Sequence, residues 1–135
     1  MNFRYGNIKT DYEQLKTGLE AVYNKLQLDE IHPVNMIADI YQGNLAFVVS
    51  TSNETDMGVF YVRTLPYSTE RQLWINIAYA AAGDAFELYM EDWEELAKDL
   101  NCTSIGWQSK RLGYLRSLKR LDNTDIYSIE YRKSL

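Results

Sequence analysis

The chain has 135 residues and a formal net charge of −5, and 46% of its residues are hydrophobic. This length and composition predict a single domain over residues 1–135 with a buried core, and they exclude a disordered chain. The acidic balance argues against non-specific nucleic-acid binding by the domain as a whole, and apolar runs such as 45–49 are too short to span a membrane.

The first predicted elements are a strand and a helix. Residues 2–8 alternate apolar and polar side chains, which is typical of a short strand. Thr10 or Asp11 can cap the helix that follows. The apolar residues of this helix recur at helical spacing: Leu15, Leu19, Val22, Tyr23 and Leu26. The segment "LDEIHP", residues 28–33, is expected to end it.

A second, shorter helix is predicted through "VNMIADIY", residues 34–41. Gly43 is expected to stop it, because glycine is common just beyond helix C-termini. The residues expected on one face of this helix are Val34, Ile37, Ala38 and Tyr41.

The middle of the chain predicts three strands. Residues 45–51 and 57–65 are rich in β-branched and aromatic side chains, and the turn-rich "SNETD", residues 52–56, separates them. Such a pattern is typical of a hairpin. A second loop then leads to a third strand-like run, "LWINIAY", at 73–79.

The C-terminal half predicts a helix, a strand, a basic helix and a last strand. The first of these helices begins near residue 84 and repeats apolar residues over four turns: Phe86, Tyr89, Met90, Trp93, Leu96, Ala97 and Leu100. The strand at 102–109, the basic amphipathic helix at 110–121 and the strand at 125–133 follow.

The complete predicted order is β-α-α-β-β-β-α-β-α-β. A strand–helix–strand unit needs a crossover over one face of a sheet, whereas hairpins make antiparallel pairs. The order therefore predicts an α/β (α+β) fold with a mixed central sheet flanked by helices.

Charge is distributed unevenly along this order. Residues 84–99 carry seven acidic side chains and one lysine. Residues 110–120 contain no acid and carry these basic side chains, which are the candidate partner-binding residues: Lys110, Arg111, Arg116, Lys119 and Arg120. Charge runs of this kind are usually solvated helix faces, and a docking surface is the alternative.

The sequence predicts no metal site and no thiol chemistry. Cys102 is the single cysteine and is expected to be buried and inert, which fits a reducing compartment. His32 is the single histidine, and the following proline favours an extended loop. The polar N-terminus lacks the apolar core of a signal peptide, so secretion by that route is not expected.

The order of elements resembles the GNAT superfamily of N-acetyltransferases over essentially the whole chain. In that family the fourth strand, the turn after it and the next helix hold the acetyl-CoA pyrophosphate, and the turn reads Gln/Arg-x-x-Gly-x-Gly/Ala. The segment "AAAGDA", residues 80–85, places Gly83 and Ala85 at the last two defined positions and Ala80 at the first. If acetyl-CoA binds, the resemblance implies contacts from these residues: Ile77, Ala78, Ala82, Gly83 and Ala85.

Two features of the turn favour a site that has lost its cofactor. Ala80 lacks the basic or amide side chain of the family, which removes a phosphate contact. Asp84, with Glu87 three residues later, resembles a capping box, in which the Asp84 carboxylate takes amides that a phosphate needs. A self-capped helix without cofactor is therefore the favoured interpretation, and a working acetyl-CoA site is the alternative.

The sequence assigns no catalytic residue. With Ser109 in the place of the family's asparagine, the tyrosine that protonates the departing thiolate falls on Arg116, and arginine is not a general acid near neutrality. Strand 73–79 offers no acidic base. Because proximity alone can support catalysis, the alternative function is an acetyl-CoA-dependent N-acetyltransferase acting on an amine of a protein or small molecule.

The C-terminal half is similar to small GNAT-like proteins encoded among bacteriophage structural genes. Their Ser-x-Arg-x-Gly-Tyr/Trp-x-Arg run is matched here by Ser109, Arg111, Gly113, Tyr114 and Arg116. The resemblance implies a non-catalytic, virion-associated structural or protein-binding component, located in the virion or the host cytoplasm. Its expected partners are other protein subunits, with nucleic acid a candidate only for the basic helix at 110–120.

Overall fold

The computed structural model describes residues 1–26, 32–108, 124–125 and 133–134. Its elements are β1 (Phe3–Tyr5), α1 (Tyr12–Leu26), α2 (Pro33–Tyr41), β2 (Ala46–Ser50), β3 (Met57–Thr64), β4 (Arg71–Tyr79), α3 (Ala85–Asp99) and β5 (Ser104–Trp107). This order agrees with the predicted order up to the fifth strand. The predicted basic helix and most of the last predicted strand fall on residues 109–123 and 126–132, which lie outside the described residues.

The strands form one five-stranded sheet in the order β1-β2-β3-β4-β5. The first four strands pair antiparallel with their neighbours, as predicted for hairpins, and β5 pairs parallel with β4. Helix α3 is the crossover between β4 and β5. The predicted mixed sheet flanked by helices is therefore confirmed.

Two apolar cores lie on opposite faces of this sheet, because side chains alternate along each strand. In β2, Phe47 and Val49 belong to the core of α1 and α2, whereas Val48 belongs to the core of α3. Trp93 of α3 is fully buried and lies over Gly58 of β3, where a Cβ atom would come within 2.4 Å of the indole ring. Glycine there allows α3 to sit close to the sheet.

The predicted face of α2 is wrong in part. Met36 is the buried residue of this helix, and Ile37 and Ile40 pack beside it. The side chains of Val34 and Tyr41 are 76% and 68% exposed. Apolar residues surround most of this short helix, so the sequence pattern leaves its orientation ambiguous, and packing against α1 decides it. Gly43 follows the helix with φ of +81°, as its predicted role requires.

Within the part of the chain that the structure describes, no helix has both the length and the apolar character to cross a membrane.

Candidate functional site

Strand β4 contains an irregularity in its pairing with β3. Val59 pairs with Ile77, whereas the next residue of β3, Phe60, pairs with Ile75. Asn76 is therefore an extra residue of β4 opposite the gap between the two pairs, which is a β-bulge. Bulges re-aim side chains and are common beside functional sites.

The bulge changes the face on which β4 residues lie. Before it, Leu73 and Ile75 point into the α3 core, and after it Ile77 and Tyr79 point to the α1 side. Asn76 lies at the change, and its Oδ1 is buried without a hydrogen-bond partner in the described structure. An unpaired buried acceptor is unusual, so this atom marks β4 at the bulge as a candidate site.

Strands β4 and β5 pair only over the first part of β4. The last parallel pair is Ile75 with Trp107, and β4 continues through residues 76–79 with no described strand on that side. The ring of Phe86, from the first turn of α3, stacks on Trp107 with centroids 4.8 Å apart. Among the described residues, the parallel pairing therefore ends at Ile75, before the turn that joins β4 to α3.

The helix that follows the β4–α3 turn, α3, is capped at its N-terminus. Asp84 has extended backbone angles, and its Oδ1 accepts hydrogen bonds from the Phe86 amide at 2.8 Å and the Glu87 amide at 3.2 Å. The predicted capping role of Asp84 is therefore confirmed. Its carboxylate satisfies two of the amides that a helix N-terminus otherwise offers to an anion.

A second carboxylate reaches the same turn from the interior. Asp56, at the end of the β2–β3 loop, is 2% exposed, and its Oδ1 accepts from the Ala81 amide at 3.0 Å. Its Oδ2 accepts from the hydroxyl of Tyr89 in α3. The sequence interpretation missed Asp56 because it treated "SNETD" only as a hairpin turn, and no local pattern links that turn to Ala81.

Tyr89 is an unusual member of this contact. Burial and then the hydrogen bond to Asp56 raise the pKa of its phenol above the ordinary value, so the hydroxyl is a neutral donor at physiological pH. The backbone of Tyr89 is non-helical, with φ of −118° and ψ of 17°, and α3 is kinked there. The buried Asp56 carboxylate of the β2–β3 hairpin therefore contacts both the β4–α3 turn and the kinked part of α3.

The five predicted cofactor residues occupy different environments. Ala82 and Gly83 are exposed on the turn and Ala78 is half-buried, whereas Ile77 and Ala85 are buried in the cores. Ala80, at the family's Gln/Arg position, is 6% exposed and belongs to the α3 core. No bound cofactor tests these residues, and they stay a prediction.

The remaining candidate residues do not form a catalytic group in the described structure. Cys102, expected to be buried, is only half-buried. Its partial burial raises the pKa of the thiol, although nearby Arg71 opposes the shift, so the thiol is not activated. His32 is exposed and lies beside the ring of Tyr23. No cluster of three potential metal ligands occurs among the described residues. The candidate partner-binding residues at 110–120 lie outside them.

No protein-family profile matches this sequence, and no curated protein is significantly similar to it. Solved structures do share its architecture. An aminoglycoside acetyltransferase from an uncultured soil metagenomic sample, solved with sisomicin, is 12% identical with a TM-score of 0.67, over 98% of this chain and 95% of that chain.

Two further structures show the same likeness at low identity. A putative acetyltransferase from Pyrococcus furiosus is 10% identical with a TM-score of 0.67, over 98% of this chain and 99% of that chain. A predicted acetyltransferase from Clostridium acetobutylicum, solved with acetyl-CoA, is 16% identical with a TM-score of 0.64, over 97% and 95%. The chain therefore has a GNAT-like acetyltransferase fold.

Proposed function

We propose that this chain is a non-catalytic GNAT-like domain that binds other proteins and does not use its β4–α3 turn to hold acetyl-CoA. The observation that carries the proposal is the use of turn amides by the chain's own carboxylates. The Ala81 amide donates to Asp56, and the Phe86 and Glu87 amides donate to Asp84. A diphosphate needs such amides as donors.

The energies favour the internal carboxylates over an outside phosphate. A hydrogen bond to a charged group contributes roughly 1.5–3 kcal/mol, so displacing either carboxylate is costly unless new donors replace it. The Asp84 charge at the helix start also repels an anion and so offsets the attraction of roughly 0.3–1 kcal/mol that a helix N-terminus gives an anion. The buried methyl group of Ala80 supplies no compensating contact.

Binding of coenzyme A to the wild-type chain tests the proposal directly. We expect a calorimetric titration to give no saturable heat and the melting temperature to be unchanged at high micromolar coenzyme A. A melting temperature that rises with ligand concentration, as linkage requires, would contradict the proposal. Inorganic pyrophosphate is the matched control, because it isolates the diphosphate contact from the rest of the cofactor.

The partners we propose are other protein subunits, as the phage resemblance implies. The basic segment at 110–120 is the proposed contact, and its five basic side chains suit an acidic protein surface or, as a second choice, nucleic acid. A location in a phage particle or the host cytoplasm follows from the same resemblance. Mass spectrometry of purified particles should detect the chain at a fixed copy number, and its absence would argue against the virion.

An N-acetyltransferase is the second candidate, and specific observations favour it. Among the described residues, the amides of Ala82, Asp84 and Ala85 donate no hydrogen bond, so part of the turn is still available to an anion. The parallel pairing of β4 with β5 also ends at Ile75, one residue before the unpartnered side chain of Asn76. Release of free coenzyme A from acetyl-CoA in the presence of a cationic amine would support this candidate.

A further inference from the structure

The contact between Asp56 and the β4–α3 turn has no role in the proposed protein binding, and we infer a role for it. We propose that Asp56 is an internal latch: its carboxylate holds the Ala81 amide turned into the core and so keeps the turn closed to outside anions. The inference rests on the proposed function, because it explains how the turn stays closed, and it adds an autoinhibitory contact.

The latch connects three segments that are far apart in sequence. Asp56 begins the β3 side of the hairpin, Ala81 lies in the turn, and Tyr89 lies at the kink of α3. Among the described residues, the carboxylate accepts from three donors: the Ala81 amide, the Tyr89 hydroxyl and the Thr55 hydroxyl. A buried carboxylate is retained when such charge-assisted hydrogen bonds satisfy it.

The latch is anchored on a fixed support. The backbone carbonyl of Asp56 accepts from the Ser50 amide at 3.0 Å and from the Gln14 side chain of α1 at 3.1 Å. The Asp56 amide donates to the carbonyl of Asn53. The carboxylate therefore has little freedom to follow the turn if an anion pulls Ala81 outward, and the turn has to break the contact to open.

The contact with Tyr89 extends the latch to the helix. Helices kink where a side chain or a local interaction disturbs the backbone ladder, and α3 departs from helical geometry at the residue whose hydroxyl reaches Asp56. Loss of the carboxylate therefore frees the turn and the first turns of α3 together. The C-terminal half of α3, packed through Leu96 and Ala97, stays in place.

The test compares two substitutions of Asp56 by amide hydrogen exchange and coenzyme A titration. Asp56→Ala removes every acceptor, and we expect the Ala81 amide to exchange about tenfold faster or more, the factor that loss of one hydrogen bond to a charged group implies. Exchange at Leu96 should follow only the global stability. Asp56→Asn keeps an acceptor for the Ala81 amide, and we expect it to retain slow exchange.

A matched control separates the latch from a general loss of stability. Asp92 is another buried carboxylate of the α3 core, 6% exposed, and it accepts from the Asn2 amide instead of the turn. Asp92→Ala should leave exchange at Ala81 unchanged relative to Leu96. If Asp56→Ala does not fold, Asp56→Ser decides instead, because its side chain is one bond shorter and carries a single oxygen: selective acceleration at Ala81 supports the latch, and unchanged exchange overturns it.

Coenzyme A affinity tests the inhibitory role. We expect Asp56→Ala to bind coenzyme A at least about tenfold more tightly than the wild type, since the freed amide is a new donor. Equal affinity in the two proteins, or Asp92→Ala matching Asp56→Ala at Ala81, overturns the latch. If the wild type binds coenzyme A, the proposed function is refuted but the latch is not. The latch is judged on the ratio of the coenzyme A affinity of Asp56→Ala to that of the wild type.

Discussion

Two helices of this molecule begin directly after an aspartate, and the two aspartates do different things. Asp84 turns its carboxylate onto the amides of its own helix, α3. Asp11 precedes α1, and its backbone carbonyl accepts the first helical hydrogen bond from Leu15. Its carboxylate, however, points back to Arg4 at 2.8 and 2.7 Å and to the Asn7 amide at 2.8 Å.

The difference shows that a tertiary partner overrides a local capping preference. A bidentate guanidinium offers two charge-assisted hydrogen bonds, whereas the helix start offers neutral amides. Strand β1 places Arg4 next to the start of α1, so Asp11 ties the strand to the helix. The Asp84 carboxylate instead accepts hydrogen bonds from the Phe86 and Glu87 amides, which belong to the first turn of its own helix.

The largest effect is expected from removing the Asp11 carboxylate. Asp11 is 7% exposed, and Asp11→Ala leaves the Asn7 amide without its acceptor and removes two hydrogen bonds of the Arg4 guanidinium. We expect a loss of about 1.5–3 kcal/mol in the free energy of unfolding, measured by urea denaturation. Glu13→Ala removes an exposed acid two residues away, in the first turn of α1; it is the control and should change stability little. An equal loss of stability in Asp11→Ala and Glu13→Ala would show that the contacts of Asp11 with Arg4 and Asn7 add nothing specific.

A smaller effect is expected at the other helix start. Asp84→Ala removes the cap of α3 and should cost about 1 kcal/mol, within the usual range of roughly 0.5–2. Asp84→Ser keeps a side-chain acceptor, so most of that loss should be recovered. Urea denaturation of the three proteins measures the difference. A fully stable Asp84→Ala variant would mean that the observed hydrogen bonds contribute nothing to folding.

The smallest expected effect is a pH dependence of the stability that the contact between Asp11 and Arg4 contributes. The hydrogen bond from Arg4 holds the pKa of Asp11 below its ordinary value. A carboxyl whose pKa is lower in the folded state contributes stability above the unfolded pKa, near about 4, and loses it as the pH falls through the folded pKa.

The advantage of the wild type over Arg4→Gln should therefore be full at neutral pH and shrink as the pH falls below about 4. Denaturation curves at a series of pH values measure it. Lys9→Gln removes an equal charge from an exposed neighbouring position, and its difference from the wild type should stay nearly flat. A parallel decline in both variants would assign the effect to net charge.

The sequence by itself determined the features that depend on near neighbours. Helical spacing placed α1 and α3, and turn residues placed the β2–β3 hairpin. Asp84 was recognisable as a cap because the amides that donate to its carboxylate lie two and three residues ahead. The order of these elements then gave the mixed sheet and the fold. Such features are readable because propensity and capping act over one or two turns of chain.

Only the tertiary structure decided the features that join distant segments. "LWINIAY" reads as an ordinary strand, yet the bulge at Asn76 reverses the faces of β4 because β3 fixes the pairing. Tertiary packing also decides the orientation of α2 and the direction of the Asp11 side chain toward Arg4. It likewise decides the contact between Asp56 and Ala81, which are 25 residues apart. Each of these features depends on a partner that only folding brings near, so the local sequence pattern cannot predict it.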